Sequence, residues 1–162
     1  MKRVLFYVFT LIFWGIACKT PKGNSTAEPA VTKTATITQG IVGEVTEITG
    51  NQMPMVGVPA PTPRPFKTTV YIYDSTHISK VQQIGTSPLF SMINTRLVQK
   101  LDTNEAGQFS AELPAGTYSV FVLKGGAFFA NQFDEKNNIG ICRVEVGKQT
   151  RLQITVNTDA SY

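Results

Sequence analysis

The chain has 162 residues, 42% hydrophobic and 16% charged, with a formal net charge of +4. That length suits one ordinary domain. Its 15 basic residues are scattered, with no arginine-rich run, so nucleic acid is not an expected partner: binding it needs basic side chains clustered on one face.

The first predicted element is a secretory signal over residues 1–17. Lys2 and Arg3 open it, Val4 to Trp14 form a nearly unbroken apolar run, and small residues lead to Cys18. The run falls short of the ~20 residues that a membrane span needs; the alternative is an uncleaved N-terminal anchor helix. Removal of the signal leaves 13 basic residues against 11 acidic ones, a net charge of +2. Gly15-Ile16-Ala17-Cys18 resembles the lipobox of bacterial lipoproteins, with Gly15 in place of the usual leucine-like residue. The resemblance implies that Cys18 becomes the first mature residue and carries the lipid, making the membrane a partner. Lys19 stands where inner-membrane retention favours Asp, which points to the outer membrane of a cell envelope. Several acyl chains hold a protein on a bilayer without a spanning helix, each buried CH₂ contributing ~0.8 kcal/mol.

Residues 18–38 are rich in Thr, Ala, Ser, Pro and Lys and lack apolar periodicity, so they are expected to form a flexible tether. The domain is expected over 39–162. Seven β-type runs follow, at 40–48, 68–74, 96–102, 107–113, 116–124, 140–146 and 150–157, separated by turn signals. No stretch after the signal keeps a 3.6-residue period, and the pattern predicts an all-β sandwich or barrel. Phe109, Ala111 and Leu113 alternate with Ser110 and Glu112; Tyr118, Val120 and Val122 alternate with Thr117, Ser119 and Phe121. Pro114 and Gly116 suit a tight turn, which predicts a hairpin over 107–122. Gly107 is placed for positive φ, and Asp102 to bond its own loop backbone.

The string Asp102…Gly107-Gln-Phe109…Leu113-Pro114-Ala-Gly116-Thr-Tyr118-Ser-Val120 resembles the carboxypeptidase regulatory-like domain. "GIVGEV" is similar to its first strand, "TTVYIYD" to its second and "CRVEVGKQTRLQITV" to its closing pair. The resemblance covers about Gly40 to Val156. It implies a seven-stranded transthyretin-like (prealbumin-like, Ig-like) β-sandwich, of the kind carried by short lipoproteins of Bacteroidetes bacteria. Residues 51–67, rich in Pro, and the long connection 75–95 depart from the simple domain, and long connections are often functional or mobile.

Chemistry-bearing residues are few. The one histidine, His77, precedes Ile78-Ser79-Lys80, so the HxxE pair that holds zinc in the catalytic domain of carboxypeptidases is absent. One His and one spare Cys do not build an ordinary zinc site. The purine-pathway hydrolase of the transthyretin-like fold uses several His and a Tyr-Arg-Gly-Ser tail, whereas this chain ends Asp159-Ala-Ser-Tyr162. No catalytic residue and no cofactor is expected. Cys142 alternates in phase with Val144 and Val146 and reads as a buried small hydrophobe. Asn131, Asp134 and Asn137 lie in an oxygen-rich loop that is either a calcium candidate or a plain polar turn.

If Val70 and Ile72 face the core, Tyr71, Tyr73 and the out-of-phase Phe121 face outward. They then form an aromatic binding face, unless 51–67 and 75–95 fold back over them. Phe128-Phe129 is either a plug at the sandwich end or an exposed tip. These residues lead to two expectations: a non-enzymatic envelope lipoprotein that supports or contacts another envelope protein, or a surface lipoprotein that captures a glycan through Tyr71, Tyr73 and Phe121.

Overall fold

The computed structural model describes residues 37–162, apart from Met55 and Ala60. The signal, Cys18 and most of the expected tether lie outside the described residues.

Among the described residues, eleven strands make two sheets. The smaller is built on β1 (Gly40–Asn51), which pairs in parallel with β11 (Gln149–Ser161) on one side and with β7 (Gln108–Glu112) and β2 (Arg64–Pro65) on the other. The larger runs β4 (Val81–Gln83), β5 (Leu89–Ile93), β9 (Ala127–Phe129), β8 (Gly116–Lys124), β3 (Thr69–Asp74), β6 (Leu97–Asp102), with β10 (Ile141–Val144) also pairing β8. All seven expected strands are present. The four added ones, β2, β4, β5 and β9, have two to five residues, too few to show a period. The architecture is an all-β sandwich.

The core lies between the sheets. Val70 and Ile72 of β3 and Tyr118, Val120 and Val122 of β8 face Ile41, Val45, Phe109, Ala111 and Val156 of the smaller sheet. Alternation puts these side chains on one face of each strand. Cys142 and Val144 of β10 join them, but Val146 lies past the strand end and is 80% exposed, against the expectation that it shares their face.

Residues 107–122 are not a hairpin. β7 pairs with β1, whereas β8 pairs with β3, β9 and β10, so the turn at 113–116 carries the chain from one sheet to the other. Buried Leu113 fills the crossing, and the Tyr118 hydroxyl donates to the Pro114 carbonyl at 2.9 Å. A tyrosine that bonds back to the backbone just upstream is the device of Greek-key corners. Gly107 does take positive φ (+73°), and a Cβ there would lie 2.2 Å from the Val45 carbonyl oxygen. Asp102 does not close its own loop; it accepts from Thr69 Oγ1 across the β3–β6 pair. The loop is closed by Asn104, whose Oδ1 accepts the N–H groups of Ala106 and Gln108, because an Asx turn needs its acceptor two residues before the donor.

Tyr118→Phe is expected to cost about 1 kcal/mol, one net hydrogen bond, with the fold retained. Urea unfolding followed by tryptophan-independent far-UV signal checks this; an unchanged midpoint refutes the role of the corner.

Candidate functional site

The expected aromatic face is covered. Phe121 and Phe90 are fully buried and Tyr73 is 8% exposed; only Tyr71 keeps partial exposure. The alternation was right, since Tyr71, Tyr73 and Phe121 do point away from the main core. They point into a second cluster instead of solvent. The connection 75–95 folds over them, laying Ile78, Val81, Phe90 and Ile93 against Tyr73 and Phe121, with Phe128, Ala130 and Ile139 closing the side. The rings meet edge to face: Tyr73 on Phe121 at 5.8 Å, Phe90 on Phe121 at 5.9 Å, Tyr71 on Phe128 at 5.0 Å. Burial raises the Tyr73 phenol pKa, with Tyr71 adding to the effect. Phe129 packs in the main core and Phe128 on the second cluster, so this pair is neither a plug nor a tip. Of the three expected aromatics, Tyr71 alone keeps part of its ring at the surface.

The cover is clamped where it leaves and rejoins the sheet. Arg96 grips Asp74 through two bonds of 2.8 Å, the Asp74 N–H donates to the Arg96 carbonyl, and Thr76 and Thr95 share a hydroxyl contact of 2.6 Å. Buried Ser119 of β8 accepts the Thr76 N–H at 2.9 Å. His77 caps the short 3-10 turn Ile78–Lys80, its Nδ1 accepting the Ser79 N–H.

The loop 131–138 uses its oxygens internally. Asp134 Oδ1 accepts the N–H groups of Lys136 (2.9 Å) and Asn138 (2.8 Å), and Oδ2 accepts Asn138 Nδ2. These bonds hold the Asp134 pKa below its ordinary value, those from Asn138 most strongly. Asn137 takes the left-handed conformation (φ +58°) and its carbonyl accepts the Ile78 N–H, tying loop to cover; Asn131 is exposed beside Gln132. Among the described residues no three His, Cys, Asp or Glu side chains gather around a point. Cys142 is free and buried, and desolvation raises its thiol pKa to about 11.

The exposed feature is the proline-rich connection between β1 and β3. Its stem is fixed on both sides. The Gln52 N–H donates to the Ser161 carbonyl and the Met53 N–H to Asn51 Oδ1; on the return, Arg64–Pro65 pairs with Thr46–Glu47 and the Phe66 N–H donates to the Val45 carbonyl. Between the stems, Gln52 to Pro63 carries no charge and four prolines. Val56 is fully exposed, and Met53 and Val58 more than half. Met53, Pro54, Val58, Pro59 and Pro61 frame a groove of about 340 Å³. Tyr162 (71% exposed) follows the neighbouring strand β11 at the same end of the sandwich.

Lys124 braces that end. It forms ion pairs with Glu47 of β1 and Asp159 of β11, and its Nζ lies 5.3 Å from the Phe66 ring centroid. The two carboxylates raise its pKa, Asp159 first. The sequence reading marks this loop by its prolines. What a sequence reading had available and did not use is the twelve-residue absence of charge around Met53, Val56 and Val58. Comparison with protein-family models, with characterised proteins and with solved structures finds no match for this chain.

Phe121→Ala is expected to destabilise the fold by about 3–5 kcal/mol, the cost of emptying a fully buried ring site. Thermal melting checks it; a near-neutral effect would show that the cover is not packed. Cys142 is expected to resist a thiol reagent at neutral pH until denaturant is added; rapid labelling of the native chain, followed by absorbance, contradicts that.

Proposed function

We propose that this chain is a non-enzymatic, lipid-anchored envelope module that contacts another envelope protein through the loop 52–63. The observation that carries the reading is a charge-free, proline-studded loop whose Met53, Val56 and Val58 are exposed while both of its stems are fixed. An apolar loop held out in water is costly without a purpose, and such patches mark interaction sites. Proline keeps the loop extended and lowers the entropy lost on docking. The matching partner surface is an apolar groove lined by aromatic rings.

Connectivity supports the same reading. The chain enters β1 at Gly40, and the loop leaves after Asn51 at the other end of that strand. Twelve residues of strand separate the two by roughly 36 Å at about 3.3 Å per residue. A lipid on Cys18 would therefore hold the module by its entry end and leave the loop end free to reach a partner. The outer-membrane address, the Bacteroidetes-type lipoprotein and the carboxypeptidase regulatory-like assignment belong to this proposal. They rest on the Cys18 neighbourhood and on the 102–120 string.

The test is a crosslinked pull-down from detergent-solubilised envelope with the parent chain and with Met53→Glu/Val56→Glu. The parent is expected to retain a partner that the variant loses, with the melting temperatures within a degree or two because neither side chain is buried. Equal recovery by both chains would remove the loop from the proposal. Globomycin-sensitive labelling with a radioactive fatty acid, lost in Cys18→Ala, checks the anchor separately.

A further inference from the structure

Of the described phenylalanines, Phe133 alone has an exposed side chain, at 49%. Phe90, Phe109, Phe121 and Phe129 are buried, and Phe66 and Phe128 are half-buried. The backbone that carries Phe133 is fixed on both sides. Phe133 bridges to buried Ile139, the Gly140 N–H donates to the Gln132 carbonyl at 2.8 Å, and the Asp134 N–H donates to the Asn138 carbonyl at 3.0 Å. Beyond it, the three bonds accepted by the Asp134 carboxylate hold the tip of the loop. The ring is therefore presented to solvent by bonded backbone, not by a loose connection.

The ring lines a groove at one end of the larger sheet. Tyr118 points to the main core, so its neighbour Thr117 points to the outer face, where Arg143 of β10 lies directly opposite it. Ile141, two residues before Arg143, shares that face. The loop adds Lys136 and Asn138 beside Phe133, and the start of the cover adds Ser75, closing a groove of about 650 Å³. Small-ligand sites span ~300–1,000 Å³. Its polar groups are uncommitted. Among the described residues, neither the Arg143 guanidinium nor the Lys136 ammonium forms an ion pair, and Glu145, the acid nearest Arg143 in sequence, is paired with Lys148. Asn138 donates its Nδ2 to Asp134, which orients the amide and leaves its Oδ1 as an acceptor.

We propose that this groove binds an acidic saccharide of the uronic-acid class, a pyranose with one carboxylate per ring. Phe133 takes the apolar C–H face of the sugar. Arg143 takes the carboxylate through its planar fork, with Lys136 as the second cation. Asn138 Oδ1 and the exposed Glu135 carboxylate accept sugar hydroxyl protons, and the Thr117 and Ser75 hydroxyls complete the set. The charges select this class. Two cations share the groove with two carboxylates, Asp134 and Glu135, so they cancel. A doubly charged phosphate is repelled by the carboxylates and makes no use of the ring. A neutral saccharide gives Arg143 no counter-ion. One negative charge on a polyhydroxylated ring uses every group. The loop is already closed, so little ordering opposes binding. The groove lies at the Gly116 end of β8, whereas Lys124, which braces the loop 52–63, lies at the other. This inference stands without the docking reading and fails separately from it.

The test titrates the full chain in detergent, by calorimetry, with trigalacturonate, maltotriose and inorganic phosphate. Trigalacturonate is expected to bind saturably, and the other two are expected to give no saturable heat. Arg143→Gln is expected to weaken trigalacturonate ~10- to 100-fold, the worth of hydrogen bonds to a charged group. Phe133→Ala is expected to weaken it several-fold. Both side chains are exposed, so both variants are expected to melt near the parent. Met53→Glu/Val56→Glu is expected to keep the parent's affinity, which separates this groove from the loop 52–63. A parent chain that does not bind trigalacturonate overturns the proposal. So does equal binding of maltotriose or of phosphate, or an affinity that neither Arg143→Gln nor Phe133→Ala moves. If Phe133→Ala lowers the melting temperature, Phe133→Trp decides: its larger ring is expected to hold the sugar at least as tightly, and loss of binding with a native melt overturns the role of the ring.

Discussion

Strand β8 is buried on both faces, and the rest of the architecture follows from that. Tyr118, Val120 and Val122 point to the sheet opposite, while Ser119 and Phe121 point the other way and are equally hidden. A half-solvated strand alternates apolar with polar, whereas one buried on both sides reads as a nearly continuous apolar run. "TYSVFVL" is of the second kind. Such a strand cannot sit in a bare two-layer sandwich. It needs a third layer on its outer side, and the connection 75–95 supplies it with Ile78, Val81, Phe90 and Ile93. The Asp74–Arg96 pair and the Thr76–Thr95 contact close the excursion at its root, so the cover begins and ends on neighbouring strands β3 and β6. The one buried polar side chain of β8, Ser119, then bonds the backbone of the cover instead of remaining unsatisfied.

This explains which parts of the fold were legible in the sequence. Period-2 alternation reports that Tyr71, Tyr73 and Phe121 share a face, and that is correct. It does not report what lies over the face, because a cover comes from residues distant in sequence and its own strands are too short to carry a period. The 107–122 stretch failed for a related reason. A proline and a glycine between two alternating runs suit a hairpin and a sheet crossing equally well. The difference lies in inward-pointing Leu113 and the reach of the Tyr118 hydroxyl to Pro114. Local rules fared better where the chemistry is local. Gly107 takes its positive φ, and Gly125-Gly126 makes the two-residue turn that sets Lys124 opposite Ala127, with φ +58° and +85°.

The candidate site was half legible for the opposite reason. Exposure of a loop is easier to read than its support. Four prolines and no charge between Gln52 and Pro63 announce a segment that neither pairs in a sheet nor dissolves comfortably. The stem is tertiary: Ser161 receives Gln52, and Val45 receives Phe66. Lys124, drawn from the other sheet, ties β1 and β11 together beneath it. A loop on such a stem can present apolar side chains without dragging the sandwich open. The Lys124 and Glu47 side chains keep only 21% and 23% exposure and Asp159 56%, and partly buried pairs lose much of their attraction to desolvation, so the role of Lys124 is to fix the geometry of this end.

The covered faces narrow where this molecule can meet anything else. The second aromatic cluster of the larger sheet is covered by its own chain, and the polar loop 131–138 spends the Asp134 carboxylate on its own backbone. Among the described residues, the groups left unsatisfied include apolar side chains at one end and backbone donors and acceptors along one edge. The two select different partners. Apolar side chains on a proline frame select a groove, and a row of N–H and C=O groups selects a strand. β11 and the loop 52–63 meet at Ser161 and Gln52, so the edge and the loop are mechanically joined there.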